Sequence, residues 1–166
     1  HFATKCGHVT IMKMLLQNGA NVNAVDDDWE TPLHHAAVFG KVNTMDILLE
    51  NGADVNASTA HANTTPLHLA CRNGHADVAE WLLRNGATMT NMTARYSWTA
   101  LDYAAMNRFV DVVKVLIQHG ADVNASKKGK RSPLMVAITC EGVYDENKES
   151  RIDVARVLIE NGADVN

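Results

Sequence analysis

The stretch TPLHLACRNGHADVAEWLLRNGA, residues 65–87, decides the fold. Thr65 is a hydroxyl residue placed to cap a helix, since its side chain can accept a hydrogen bond from a free first-turn amide. Pro66 follows at the first helical position, where its missing N–H costs nothing and its fixed φ suits the helix. Leu67, Leu69 and Ala70 then make a short apolar helix, and Gly74 marks a turn. A second helix is predicted through Val78, Ala79, Trp81, Leu82 and Leu83. Its apolar face is too wide to be packed from one side, which predicts a neighbour on each flank. Asn85-Gly86 closes it, with glycine supplying the left-handed residue that ends many helices.

Outward from this stretch the same pieces recur. The string Asn-Gly-Ala-Asn/Asp-Val-Asn begins at Asn18, Asn51 and Asn161, with close variants at Asn85 (NGATMT) and His119 (HGADVN), at successive offsets of 33, 34, 34 and 42. A second string, Thr-Pro-Leu-His-x-Ala, begins at Thr31 and Thr65 and degrades to TALDYA at Thr99 and SPLMVA at Ser132, at offsets of 34, 34 and 33. Two independent strings keeping one step mean a tandem array, in which each unit buries its core against the next. The polar stretch before each Thr reads as a hairpin-like loop.

These residues closely resemble the ankyrin repeat, and the resemblance covers essentially the whole chain. It implies an all-α solenoid of stacked antiparallel helix pairs, with loops projecting at roughly a right angle. Alignment gives one ankyrin repeat domain over 1–166, with units at about 1–23, 24–56, 57–90, 91–124 and 125–166. Unit one is clipped, because His1 lies where the TPLH histidine stands elsewhere. Val9, Ile11, Leu15 and the Val154–Ile159 run are no more polar than internal units, so the expectation is a piece of a longer array or multidomain protein. Unit four has Arg108-Phe109 in place of Gly-His, which predicts a strained or reshaped turn. Unit five carries an insertion at 142–150, read as a tolerated polar loop or a lengthened first helix, with a partner-contacting or specificity loop as the alternative.

Composition narrows the function classes. An apolar fraction of 46% with 20% charge excludes a disordered chain, and no stretch reaches the length of a membrane span. A net charge of −4 leaves no overall basic field for nucleic acid. Cys6, Cys71 and Cys140 are odd in number and widely spaced, which argues for a reducing, intracellular (cytoplasmic or nuclear) setting. Sequons occur at Asn56, Asn63, Asn91 and Asn124, but two come from the repeated Val-Asn-Ala-Ser string and coincidence is the better reading. A monomer is expected.

Catalytic and metal signatures are weak. HExxH, GxSxG, GxxxxGK[ST] and GxGxxG are absent, so neither an enzyme nor a cofactor or small-molecule substrate is expected. His34, His35, His68 and Cys71 fall near one another on successive units, which raises zinc as a question. The resemblance assigns His34 and His68 to structural hydrogen bonding, and no metal is expected. Asp26, Asp27, Asp28 and Glu30 read as solvated loop charge, and Met12, Met14, Met45 and Met135 as core or gap-filling positions.

In ankyrin proteins the ligand usually meets the loop tips and the exposed, concave face of the first helices. On this sequence those positions include Trp29, Glu30 and Phe39 in unit two, and His61, Arg72 and Asn73 in unit three. Arg95, Tyr96, Trp98, Met106 and Asn107 hold them in unit four, and Lys128 and Arg131 in unit five. Trp29 stands where the loop consensus has glycine, and Tyr96 and Trp98 flank the corresponding place in unit four. Aromatic and Arg side chains dominate interface hot spots, although each tryptophan could instead pack its own loop. Charge grades from acidic at unit two to basic at Lys127–Arg131, about 30 Å apart if packed helices are about 10 Å apart. The expectation is an extended peptide or protein partner across units two to five, with nucleic acid disfavoured. Asn23, Asn56 and Asn124 each lie eight residues after a leucine and resemble the site an asparaginyl hydroxylase modifies in other ankyrin arrays; a loop-stabilising hydrogen bond is the competing role.

Overall fold

A short helix survives in this sequence only by packing, because seven or eight residues in isolation cannot offset the cost of nucleation. The computed structural model describes residues 1–90, 93–94, 97–125, 131–139 and 148–165. Within them the chain forms helices α1 (Phe2–Lys5), α2 (Val9–Gln17), α3 (Pro32–Val38), α4 (Val42–Glu50), α5 (Pro66–Asn73), α6 (Ala76–Arg84), α7 (Ala100–Met106), α8 (Val110–Gln118), α9 (Pro133–Thr139) and α10 (Lys148–Glu160). No strand occurs among the described residues. The helices pair antiparallel. The odd-numbered ones pack α1–α3–α5–α7–α9, and the even-numbered ones α2–α4–α6–α8–α10.

The core follows the period. Leu48, Leu82, Leu116 and Leu158 are buried at one register, and Val78, Val112 and Val154 at another. Between the first helices, Ala36, Ala37, Ala70, Ala104, Ala105 and Ala137 are fully buried, and their small side chains let these helices approach closely. Each second helix ends at a left-handed glycine, at Gly19, Gly52, Gly86, Gly120 and Gly162. Met12 and Met45 belong to the core as expected. Met14 and Met135 do not: they are 59% and 47% exposed, on the side of their helices away from the packed register.

A recurrent imidazole bridge ties units together. The Thr31 amide donates to His34 Nδ1 at 3.1 Å, so that nitrogen carries a lone pair and Nε2 carries the proton. Nε2 then donates to the Thr64 carbonyl of the next unit at 3.0 Å. Burial lowers the His34 pKa, which keeps the ring in this neutral form. The Thr65 amide and hydroxyl meet His68 Nδ1 in the same way, at 3.2 and 2.8 Å. His1 Nε2 reaches the Glu30 carbonyl at 3.0 Å, the equivalent bond from unit one.

Unit four breaks the series with Asp102. One carboxylate oxygen, Oδ2, accepts from the Thr99 amide at 2.8 Å and its hydroxyl at 3.0 Å, preserving the cap. The other, Oδ1, is buried with no hydrogen-bond partner among the described residues, because a carboxylate has no proton to pass forward. Burial pushes the Asp102 pKa up to about 6 against the opposing Thr99 hydrogen bonds.

The inter-helix turns carry a second inter-unit contact. His75 Nε2 donates to the Val38 carbonyl at 2.9 Å, and the His75 ring sits where a side chain on Gly40 would have to be. In unit four Phe109 takes the place of that histidine and covers Gly74, while Arg108 occupies the left-handed position at φ 62°. The strain expected at Arg108 is therefore present. Unit five departs from expectation in one respect. Lys148–Ser150 open the second helix, α10, and do not lengthen the first; residues 142–147 lie outside the described residues.

Two tests follow from this packing. A Cβ at Gly74 would lie 2.7 Å from the Phe109 ring on a backbone at φ +79°, so Gly74→Ala should destabilise by about 1–3 kcal/mol in urea unfolding. Asp102 binds more protons folded than unfolded between its ordinary value and about 6, so its contribution to stability falls as pH rises through that window. Asp102→Asn should raise the unfolding free energy at pH 7.5 by up to about 3 kcal/mol, and the gain should shrink as pH is lowered from 6 toward 4. A gain independent of pH would show that ionisation is not the cause.

Candidate functional site

The loops before α3, α5 and α7 are each closed by one backbone bond across their base. Asp26 N–H donates to Glu30 O at 3.1 Å, Thr59 N–H to Thr64 O at 3.0 Å, and Thr93 N–H to Trp98 O at 2.9 Å. Two residues before each capping Thr the chain turns left-handed, at Trp29 (φ 62°), Asn63 (φ 48°) and Ser97 (φ 54°). Asn tolerates that conformation, and Gly would adopt it freely; a bulky tryptophan is strained there. Trp29 is nevertheless 48% exposed, with its indole edge-on to His61 of the next loop at 6.4 Å.

Behind Trp29, the side chains of α1 and α3 form a continuous polar–aromatic surface. His35 stacks parallel on Phe39 at 6.5 Å, His1 meets His35 edge-on at 5.4 Å, and Lys5 Nζ lies 4.8 Å above the Phe39 ring. Phe39 is 38% exposed. His35 Nε2 and Asp26 Oδ2 are 2.7 Å apart, and Asp26 Oδ1 accepts from the Asp28 and Glu30 amides at 3.1 and 2.9 Å. Partial burial pushes Asp26 up, but the His35 and amide hydrogen bonds outweigh it and hold the carboxyl below its ordinary value. Burial raises Glu30, helped by the charges of Asp26 and Asp28 and opposed by His35 and Arg72.

Asp26, Glu30 and His35 bring one ligating atom each within 4.8 Å of one another, a grouping the sequence did not single out for metal. The Asp26–His35 contact has a structural counterpart in unit four, where the Tyr103 hydroxyl donates to Thr93 Oγ1 at 3.3 Å. In both cases the residue after the TPLH histidine position ties the loop to its helix. The set raised from sequence is separated by function: His34 is turned into the buried bridge, His68 is buried against its capping Thr65, and Cys71 is fully buried, its thiol pushed up by that burial.

The remaining expected contact residues divide. His61, Arg72 and Arg131 are exposed, and Glu30, Asn73 and Met106 are half-buried. Asn73 donates to the Leu69 carbonyl at 2.8 Å and helps close α5. Trp98 is half-buried and edge-on to Tyr103 at 5.2 Å, so it packs its own unit. Asn107 does not share the exposed surface. It is 5% accessible, with its amide donating to Tyr103 O at 3.0 Å. Arg95, Tyr96 and Lys128 lie outside the described residues.

The three asparagines assigned to loop stabilisation or hydroxylation are staples between units. Asn56 Nδ2 donates to Gly86 O at 3.0 Å and its Oδ1 accepts from Thr88 N–H at 2.9 Å. Asn23 and Asn124 repeat the pattern one unit earlier and two units later.

Trp29→Gly should relieve the left-handed strain and raise the unfolding free energy by about 1 kcal/mol, whereas Trp29→Ala, which keeps a Cβ there, should give no gain. Chemical unfolding of both variants checks this.

Comparison with known proteins agrees with this architecture. The family model for ankyrin repeats (3 copies) matches residues 1–59, 58–127 and 89–166. An ankyrin repeat protein of fowlpox virus (strain NVSL) is 46% identical over 39 residues, which is 24% of this chain and 28% of that protein. The chain therefore aligns with well under half of that relative's length.

Proposed function

Because the chain belongs to the ankyrin repeat family, whose repeats are generally protein–protein interaction modules, we propose that it is a non-catalytic scaffold binding a protein or extended peptide. The binding surface in this reading is the loop tips and the exposed side of the first helices, along one continuous array over 1–166. The observation that carries it is Trp29. A bulky side chain is kept in a strained backbone conformation and left 48% exposed, where a glycine would cost less. Strain retained at an exposed indole is the signature of a contact made with something else.

The anchor region is therefore at units two and three: Trp29, Glu30, Phe39, His61 and Arg72. The packing of Trp98 on Tyr103 favours this end over unit four. A partner here meets aromatic faces beside the carboxylates of Asp27, Asp28 and Glu30, and toward unit five it meets the Lys127–Arg131 charges. No helix among the described residues is long and apolar enough to cross a membrane, and the setting proposed is the intracellular one in which free cysteines persist. Hydroxylation of Asn23, Asn56 or Asn124 is compatible with the staple, since an oxygen on Cβ leaves the carboxamide intact; intact mass rising in steps of one oxygen would report it.

The test is a double variant, Trp29→Ala/Phe39→Ala, with helix content checked by circular dichroism. Affinity for a captured partner should fall at least about tenfold, as loss of one hot-spot side chain implies. Unchanged affinity would remove this surface from consideration.

A further inference from the structure

Three of the four junctions between units are closed at the loop base by an asparagine carboxamide. Asn23 Nδ2 donates to Gly52 O at 2.9 Å and Oδ1 accepts from Asp54 N–H at 3.0 Å. Asn56 does the same with Gly86 O and Thr88 N–H, at 3.0 and 2.9 Å. Asn124 does so with Gly162 O and Asp164 N–H, at 2.9 and 2.8 Å. One backbone acceptor and one backbone donor, two residues apart, thus read a primary carboxamide three times in one molecule.

The fourth junction, from unit three to unit four, has Thr90 at the asparagine position. A threonine hydroxyl is shorter than a carboxamide and cannot reach both backbone groups. The equivalents, Gly120 O and Asp122 N–H, make no hydrogen bond among the described residues. Beside them opens a cavity of about 210 Å³, lined by Met89, Thr90, Leu101, Leu116, Gly120 and Asp122, with largely apolar walls. Thr90 and Asp122 are exposed, so the cavity is reachable from solvent.

We infer that this junction is a binding site for a primary carboxamide, presented by an Asn or Gln side chain of an extended partner peptide. The partner's NH₂ donates to Gly120 O, its C=O accepts from Asp122 N–H, and its methylene stem lies against Met89 and Leu101. The chemistry is selective. A carboxylate has no proton for Gly120 O and would face the Asp122 carboxylate, and an ammonium cannot accept from Asp122 N–H. The site does not depend on the Trp29 surface and stands or falls separately from it.

The full chain, labelled with ¹⁵N, is titrated with N-acetyl-glutamine methylamide and, separately, with N-acetyl-glutamate methylamide. The Asp122 amide resonance should shift saturably with the first, in the millimolar range that two hydrogen bonds and a short stem allow, and should stay unmoved by the second. Thr90→Asn supplies the missing carboxamide in cis. It should abolish the shift and raise the unfolding midpoint by about 2–4 °C. Thr90→Val, which supplies no carboxamide, should retain the response and serves as the control for disturbed folding. No response in the parent chain would mean that the cavity holds solvent only. An equal response to both titrants, or a response that persists in Thr90→Asn, would also overturn the site.

Discussion

A buried imidazole proton on His34 links its unit to the next. Its position is dictated locally: the capping Thr donates its amide to Nδ1, which leaves the proton on Nε2, and the ring then points that proton at a carbonyl about thirty residues ahead. The bond is made in a dry interface, where an unmatched polar group is costly. Short helices that could not persist alone are thereby held in register. Asp102 shows what the bridge contributes by lacking it. The cap survives, the forward bond does not, and a carboxylate oxygen is left buried with its acid strength weakened by burial. The interface between units four and five therefore differs electrostatically from the others.

The same logic of one position, many units, separates structural from variable residues. The loop tip turns left-handed in units two, three and four, and Asn63 and Ser97 meet that demand with small polar side chains. Trp29 meets it with the least suitable side chain and leaves it exposed. The loop base must be closed by a carboxamide, and Thr90 cannot close it. Both exceptions concern residues that an array built for stability alone would replace.

Most of the fold was legible because its determinants are local and repeated. Caps, first-position prolines and terminal glycines act within one turn of the chain, and a 33- to 34-residue step copies them along the sequence. Even the structural use of His34 and His68 follows from the resemblance those strings carry. The candidate surface was legible only in part. Trp29, Phe39, His61 and Arg72 were identified from their positions and are presented to solvent, but Asn107 and Trp98, picked by the same positional rule, are turned inward or onto Tyr103. The rule reads position in the repeat alone, and Arg108 keeps the left-handed turn at φ 62° while Asn107 beside it is buried. Met14 and Met135 failed as core positions because hydrophobicity says how a residue prefers to be placed, not whether a neighbour covers that side of the helix.

The sequence by itself determined the period, the register and the helix ends, since each depends on residues within a few positions of one another. Tertiary structure decided what happens where residues about thirty positions apart meet. It turned His35 and Asp26 into a loop tie beside an exposed tryptophan, and it set Thr90 opposite a carbonyl and an amide that three other junctions satisfy with asparagine. A missing hydrogen bond has no signature in a string of letters. It becomes visible only when the two backbone groups are set beside Thr90 in the fold.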